Sequence, residues 1–480
     1  MLLDADQCYR ALGARDSRFD GRFFVGVSTT RIYCRPVCTA RTPRRNHCRF
    51  FPSAAAAESE GFRPCLRCRP ELAPGHASVD ANRRLAQAAA GLIEDGGLDA
   101  GARLTALAGT LGITDRHLRR VFGEEFGVAP VEYAQTQRLL LAKRLLTDTA
   151  MPVIDVAYGS GFASLRRFNH LFRTRYRMTP GELRRAAPAT ARDELVFDLA
   201  YRPPYDWEAM RDFLARRAIA GVETVDGNRY LRTVRIEREG KTTTGWIAVA
   251  PSRRPRALSV TVSASLARVL PSVLARAKQL LDLSCHPDEV AQALGELVRD
   301  RPGLRLPGAF DGFEIAVRAI LGQQVTVKAG IAIAARFVRA FGEGIDTPHA
   351  ALTHLFPRPE SIAALDEADI AAQGVIRTRA RAIVQIASEI AAGRLRLDPG
   401  TNVDATLAAL TRIPGVGPWT AQYIAMRALA WPDAFPHPDV AVLKAMRTTH
   451  AREAVAQADQ WRPWRAYAVL HLWKSLENER

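Results

Sequence analysis

Four of the chain's seven cysteines fall in two short pairs, Cys34-x3-Cys38 and Cys65-x2-Cys68, separated by 26 residues. Soft thiolates at this spacing suit one tetrahedral zinc ion, with Cys34, Cys38, Cys65 and Cys68 as its ligands. Such an ion pins two loops together, which a stretch too short for a large core needs in order to fold. Cys8, Cys48 and Cys285 read instead as small buried residues. Six of the seven cysteines lie before residue 79 of a 480-residue chain, so the metal accounts for one domain among an expected three or four.

The formal charge of +17 favours a polyanionic partner, with double-stranded DNA foremost. No apolar run approaches the ~18 residues that span a bilayer, and the N-terminus lacks a secretory pattern, so no membrane contact and a cytoplasmic location are expected. The chain divides into blocks at 1–78, 79–187, 194–285 and 286–480, with an Ala/Pro linker at Ala186–Ala191. Within the third block, Leu258-Ser259-Val260-Thr261-Val262 alternates as a half-buried strand does.

Arginines crowd the cysteine loops, and Arg35 and Arg67 are candidate phosphate contacts. The run Phe23-Phe24-Val25-Gly26-Val27 to Ile32-Tyr33-Cys34-Arg35-Pro36-x-Cys38, with Gly61-Phe62-Arg63-Pro64-Cys65-x2-Cys68, resembles the N-terminal domain of the Ada adaptive-response family. The resemblance implies that Cys34, held on zinc, irreversibly takes a methyl group from a DNA methylphosphotriester. Losing one thiolate charge would then weaken repulsion from phosphate. Ada proteins often carry a Pro-Cys-His-Arg acceptor as well; that tetrapeptide does not occur here, so no O6-alkylguanine repair is expected. A purely structural zinc site is the alternative.

In the second block, apolar residues at 104, 107, 108, 111, 118, 121 and 122 keep helical spacing around a turn at Gly112, with Thr114 as an N-cap. The pattern returns at Ile154–Phe172, and Thr179-Pro180-Gly181-Glu182 forms a capping box. Arg116, Arg119 and Arg120 on the first unit, and Arg166, Arg167, Asn169 and His170 on the second, are candidate DNA contacts. Two units about 50 residues apart resemble the AraC-type DNA-binding domain, which implies a transcription activator with RNA polymerase as a further partner.

In the last block, Pro414-Gly415-Val416-Gly417 precedes a helix, and the Gly415 and Gly417 amides are placed to hold a phosphate. Asp439 follows about 20 residues later among apolar neighbours, where it is either a helix N-cap or a functional carboxylate. Hairpin and aspartate together resemble the helix-hairpin-helix glycosylase superfamily. Pro203–Trp207, Arg301–Gly308, Ala319–Gln324 and Trp461–Trp473 extend the likeness to the AlkA family of 3-methyladenine DNA glycosylases. That likeness implies Asp439 as catalytic carboxylate, with Asp433 its nearby rival, and a base pocket of Trp419, Tyr423, Trp473 and Phe213. Electron-rich rings suit a cationic alkylated purine, although core packing is the other reading of these rings. Lyase members carry a lysine where Trp419 stands, so hydrolysis without a Schiff base is expected. Gln324, with Gln323 beside it, occupies the position of the leucine wedge that fills the gap left by a flipped base.

The expected fold class is multidomain and mainly α. It comprises a small α/β zinc domain, a double helix-turn-helix, an α/β subdomain and an all-α helix-hairpin-helix domain, with one Zn2+ and no organic cofactor. The competing reading is a DNA-binding regulator with a structural zinc and a catalytically silent glycosylase half.

Overall fold

The computed structural model describes residues 4–16, 19–73, 81–98, 103–186, 194–238 and 240–478. The expected boundary at 78/79 and the 187–191 part of the linker lie outside them. The chain forms two compact units, Met1–Pro203 with Ser252–Lys278 and Leu283–His286, and Pro204–Pro251 with Gln279–Asp282 and Pro287–Arg480. The stretch 194–285 therefore contributes to both.

In the first unit, a four-stranded sheet has the order β3-β1-β2-β4, with β1 at Phe24–Val27, β2 at Ile32–Cys34, β3 at Cys48–Phe51 and β4 at Arg63–Pro64. β1 runs antiparallel to β2 and β3, while β2 and β4 are parallel. The parallel pair has a functional consequence. Tyr33 lies beside Pro64, and the Cys65 amide donates to the Tyr33 carbonyl at 3.0 Å, so the two cysteine loops leave the sheet side by side. Gly26 on β1 permits the close packing beneath them, because a Cβ there would fall 2.6 Å from the Phe51 ring and 2.9 Å from Phe62.

The sheet takes part in two cores: Val25 and Cys48 pack with Cys8, Leu12 and Phe23 in a small cluster beside the helix Ala5–Gly13, and the second core is shared. Tyr33, Phe51 and Phe62 share one apolar cluster with Leu107, Leu118, Phe122 and Phe126 of the helical segment that follows. There the helices Leu104–Thr110 and Asp115–Phe126 make the first helix-turn-helix, and Val153–Gly159 and Leu165–Tyr176 the second. The 19-residue helix Pro130–Asp148 joins them. The expected local signals are in place. Gly112 has φ +68°, Thr114 Oγ1 accepts the His117 amide at 3.2 Å, and Thr179 and Glu182 exchange capping hydrogen bonds. The unit also contains the antiparallel pair β5 (Glu194–Ala200) and β9 (Ala257–Ser263), the latter including the alternating run expected as a strand.

The second unit carries an antiparallel meander, β6 (Glu223–Asp226), β7 (Arg229–Arg238) and β8 (Lys241–Pro251). Its helical part is built on one large core that includes Ile315, Ile320, Phe337, Ile383, Ile386, Leu410 and Ile424. A buried network of Arg232 and Arg318 with Glu223 and Glu314 ties the strands to the helix Gly312–Leu321. Losing any one member would strand a buried charge, which typically costs about 3–5 kcal/mol.

Candidate functional site

In the second unit, the hairpin 412–417 connects the helices Val403–Thr411 and Pro418–Arg427. Trp419, Tyr423 and Arg427 follow at steps of four, so they lie on one helical face. Trp419 and Tyr423 stack with centroids 5.2 Å apart and planes at 13°, and Trp473 leans on Tyr423 at 6.4 Å. Trp473 and Phe213 line a common cleft. The four expected pocket rings are thus drawn together from three helices distant in sequence.

Asp439 meets this cluster directly. Its Oδ2 accepts Trp419 Nε1 at 2.8 Å, and its Oδ1 accepts Trp473 Nε1 at 3.1 Å and the Val442 amide at 3.0 Å. Asp439 is therefore both the N-cap of Val440–Ala445 and the carboxylate at the aromatic cluster. Three donors fix the direction of its carboxylate. A partly exposed carboxylate beside electron-rich rings can stabilise a cation that develops next to them. Asp433 is otherwise committed. It is buried in a bidentate pair with Arg465, at 2.7 and 2.9 Å, and in a second pair with Arg462 at 2.6 Å.

The adjacent glutamines have opposite fates. Gln323 Nε2 donates to the Gly415 carbonyl at 2.9 Å and to Thr420 Oγ1 at 2.8 Å. It braces the hairpin and stays partly exposed. Gln324 is exposed and has φ +51°, a left-handed backbone conformation.

In the first unit, the sulfurs of Cys34, Cys38, Cys65 and Cys68 lie within 4.8 Å of one another. Thiolates on one zinc ion at ~2.3 Å stand about 3.8 Å apart, so the donor set fits a single Zn2+. Hydrogen bonding to Cys38 pushes the Cys34 thiol up, and hydrogen bonding to Cys34 pulls Cys65 down. Cys38 and Cys65 are buried, whereas Cys34 and Cys68 are partly exposed. Cys68 Sγ accepts the Arg35 amide at 3.4 Å.

On the helix-turn-helix units, Arg116, Arg119, Arg120, Arg166, Arg167, Asn169 and His170 are all exposed on the second helix of their unit. Ser164 caps the second of these helices by accepting the Arg167 amide at 3.4 Å.

Comparisons with known proteins follow this geometry. The chain matches the metal binding domain of Ada over residues 7–71, a helix-turn-helix domain over 107–186, the AlkA N-terminal domain over 196–311 and the HhH-GPD superfamily of base excision DNA repair proteins over 317–462. A probable bifunctional transcriptional activator/DNA repair enzyme AlkA of Mycobacterium tuberculosis is 38% identical over 493 residues, covering 99% of this chain and 97% of that protein. The chain belongs to the bifunctional Ada–AlkA family. The DNA-3-methyladenine glycosylase 2 of Escherichia coli is 36% identical over 278 residues, covering 58% of this chain and 96% of that protein. A 3-methyladenine DNA-glycosylase from Archaeoglobus fulgidus shares the fold at TM-score 0.50 and 22% identity, covering 58% of this chain and 97% of that one.

Within this Ada–AlkA chain, two features of the zinc domain escaped the sequence. Arg35 is not a surface phosphate reader. The residue is 7% exposed, and its guanidinium pairs bidentately with Asp20 and donates to the Cys68 carbonyl at 3.3 Å. It is a buried strut of the metal loop, whereas Arg67 is exposed as expected. The second feature is the tie between sensor and helices. Tyr33, next to Cys34, donates to Glu58 at 2.9 Å, and Glu58 also accepts from Thr136 at 3.0 Å. Just after Cys68, Arg69 reaches Asp148 at 2.7 Å, and Glu71 accepts from Lys143 at 2.8 Å. No local pattern marks Glu58 or Glu71; only the fold brings their partners in.

Burial pushes the Glu58 carboxyl up to about 7, against the lowering effects of Tyr33 and Thr136. A carboxyl whose folded value is raised binds its proton more tightly when native. Its contribution is therefore full below the ordinary glutamate range and lost as pH rises through about 7. Thermal unfolding of the full chain should show destabilisation of about 2–3 kcal/mol between pH 5 and 8 from this group. Glu58→Gln should flatten that slope, and an unchanged slope would count against it.

Gly415 has φ +93°, and a Cβ would stand 3.3 Å from Ala382 Cβ and the Thr378 carbonyl. Gly415→Ala should strain the hairpin by about 1–2 kcal/mol. DNA affinity, read by fluorescence anisotropy, should fall about tenfold as the hairpin amides shift; unaltered affinity would remove the hairpin from the DNA contact.

Proposed function

We propose that the chain is an alkylation-response protein with two chemical arms. The helix-hairpin-helix arm hydrolyses the N-glycosidic bonds of alkylated purines such as 3-methyladenine in DNA. The zinc arm transfers a methyl group from DNA methylphosphotriesters to Cys34 and thereby drives transcription activation, with RNA polymerase as the partner of that step. The organisation is 1–78 methyl acceptor, 79–187 DNA-binding domain, 194–285 AlkA-type N-terminal subdomain and 286–480 glycosylase, and the location is cytoplasmic.

The observation that carries the reading is Asp439 held by both indoles at the aromatic cluster. A purine flipped out of the duplex would enter among Trp419, Tyr423, Trp473 and Phe213, while Gln324 takes its place in the stack. Its bond to the sugar breaks with the electron pair leaving on the base. Asp439 stabilises the resulting sugar cation, and water adds at that carbon and loses a proton. With Trp419 in the lyase position no amine is present there to form a Schiff base, so the product is an intact abasic site.

In the sensor, bound zinc would keep all four sulfurs ionised. Cys34 Sγ attacks the methyl carbon, the new S–C bond forms as the C–O bond breaks, and the electron pair stays on the phosphate oxygen, restoring the diester. The exposed polar faces of Asp115–Phe126 and Leu165–Tyr176 are suited to adjacent major-groove segments. The deciding experiment is base release from methylated duplex DNA by the full chain. Free alkylpurine with abasic product is expected; binding without release would leave only the regulator.

A further inference from the structure

Arg427 has no part in the chemistry above, yet it lies directly behind the aromatic cluster. The residue is 5% exposed. It donates to the carbonyls of Pro307 and Gly308, the latter at 3.1 Å, and to Tyr423 Oη at 2.7 Å. Its guanidinium carbon stands 5.0 Å from the Phe213 centroid and 5.6 Å from that of Tyr423. None of these partners is anionic. A desolvated guanidinium ordinarily sits on a carboxylate, because a buried charge without an opposite charge costs several kcal/mol. Asp433 with Arg465 shows that ordinary arrangement in the same unit. Arg427 departs from it at the place where the base would sit.

We infer that Arg427 is a positioning residue that forms the positive pole of the excision pocket, at the Tyr423 member of the stack whose Trp419 member is tied to Asp439. The inference rests on the glycosylase reading. Breaking the N-glycosidic bond moves one unit of positive charge from base to sugar, because the bonding pair departs with the base. A guanidinium behind the base and a carboxylate toward the sugar produce a field along that displacement. Arg427 disfavours the charge where it starts, and Asp439 favours it where it arrives. Arg427 therefore works against binding of a cationic purine while favouring its departure, which is a ground-state cost recovered in the transition state. The phenol of Tyr423 registers the same field. Burial pushes it up, but Arg427, Arg217 and Arg318 outweigh burial and hold it below the ordinary tyrosine value.

Single-turnover excision of 7-methylguanine from duplex DNA by the full chain separates this role from a structural one. Arg427→Met should lower the saturating rate about tenfold. It should also tighten half-saturation for the lesion duplex about threefold, with affinity for the undamaged duplex unchanged. Arg427→Lys, which keeps the charge, should restore most of both. A merely structural residue would weaken rate and binding together, and lysine would not rescue it. An unchanged saturating rate in Arg427→Met, or a lysine variant as slow as the methionine one, overturns the inference. Should the methionine variant not fold, alkaline absorbance titration of the wild type decides. One tyrosine should ionise ahead of the rest and vanish from the titration of Tyr423→Phe; no early-ionising tyrosine overturns the inference. Asp439→Asn is the control that separates the two ideas. If it abolishes release while Arg427→Met does not slow it, only the Arg427 role fails.

Discussion

Asp439→Asn in the full chain is expected to slow release of alkylated purines by about 10²–10³-fold, the loss typical of removing one preorganised electrostatic group. The substitution keeps the shape and takes away the charge. Asp439 offers two oxygens to three donors, the indoles of Trp419 and Trp473 and the Val442 amide. An asparagine can keep its oxygen toward Val442 and preserve the helix cap, so folding should survive. Its NH2 group must then face an indole N–H, which leaves a donor opposed to a donor. DNA binding should be unchanged or slightly tighter, since a negative charge near phosphate is gone. The comparison to make is single-turnover base release against affinity on one methylated duplex. Undiminished release by the variant would sink the catalytic role of this carboxylate. Asp433→Asn should instead fail through instability, because it strands Arg465 in the interior.

Cys34→Ser should eliminate methyl transfer entirely, because an alcohol is not ionised at neutral pH and is a poor zinc ligand. Intact-mass analysis after incubation with methylphosphotriester DNA should show one methyl increment on the wild type, at the Cys34 peptide, and none on the variant. Cys68→Ser is the informative partner. Cys68 is also partly exposed, but its sulfur accepts the Arg35 amide. If the methyl appears on Cys68 in the wild type, the acceptor has been misassigned even though the chemistry stands. Chelation of the metal should abolish transfer and destabilise the first unit, whose Tyr33–Glu58–Thr136 contacts begin one residue before Cys34.

Much of this was legible before the fold was known, wherever the cause is local. A cap needs its acceptor two or three residues from its donor, so Thr114, Ser164 and the Thr179–Glu182 box could be read directly or from their repeat. Four cysteines in two short loops imply one metal at any fold that brings the loops together. The aromatic residues of the pocket were reachable through family likeness, and Arg427 could have been found by extending the Trp419–Tyr423 spacing by four more residues.

Arginine roles were the least legible, because an Arg-rich segment looks alike whether its members face phosphate or a distant carboxylate. Arg35 and Arg67 belong to the same loops, yet Asp20 takes Arg35 into the interior while Arg67 stays outside. Gln323 and Gln324 are chemically identical neighbours, yet Gln323 bonds the hairpin while Gln324, at positive φ, is exposed. The sequence by itself determined the zinc ligands, the paired helix-turn-helix units and the hairpin with its aspartate, because each is a short pattern whose spacing carries its chemistry. Tertiary structure alone decided that Asp439 rather than Asp433 meets the indoles, and that the buried Arg427 guanidinium sits against Tyr423 and Phe213. It also decided that the sensor shares its core with the DNA-binding helices. Those outcomes depend on which distant groups a buried charge or ring finds as partners; spacing can place Arg427 on a helical face but cannot name its partners.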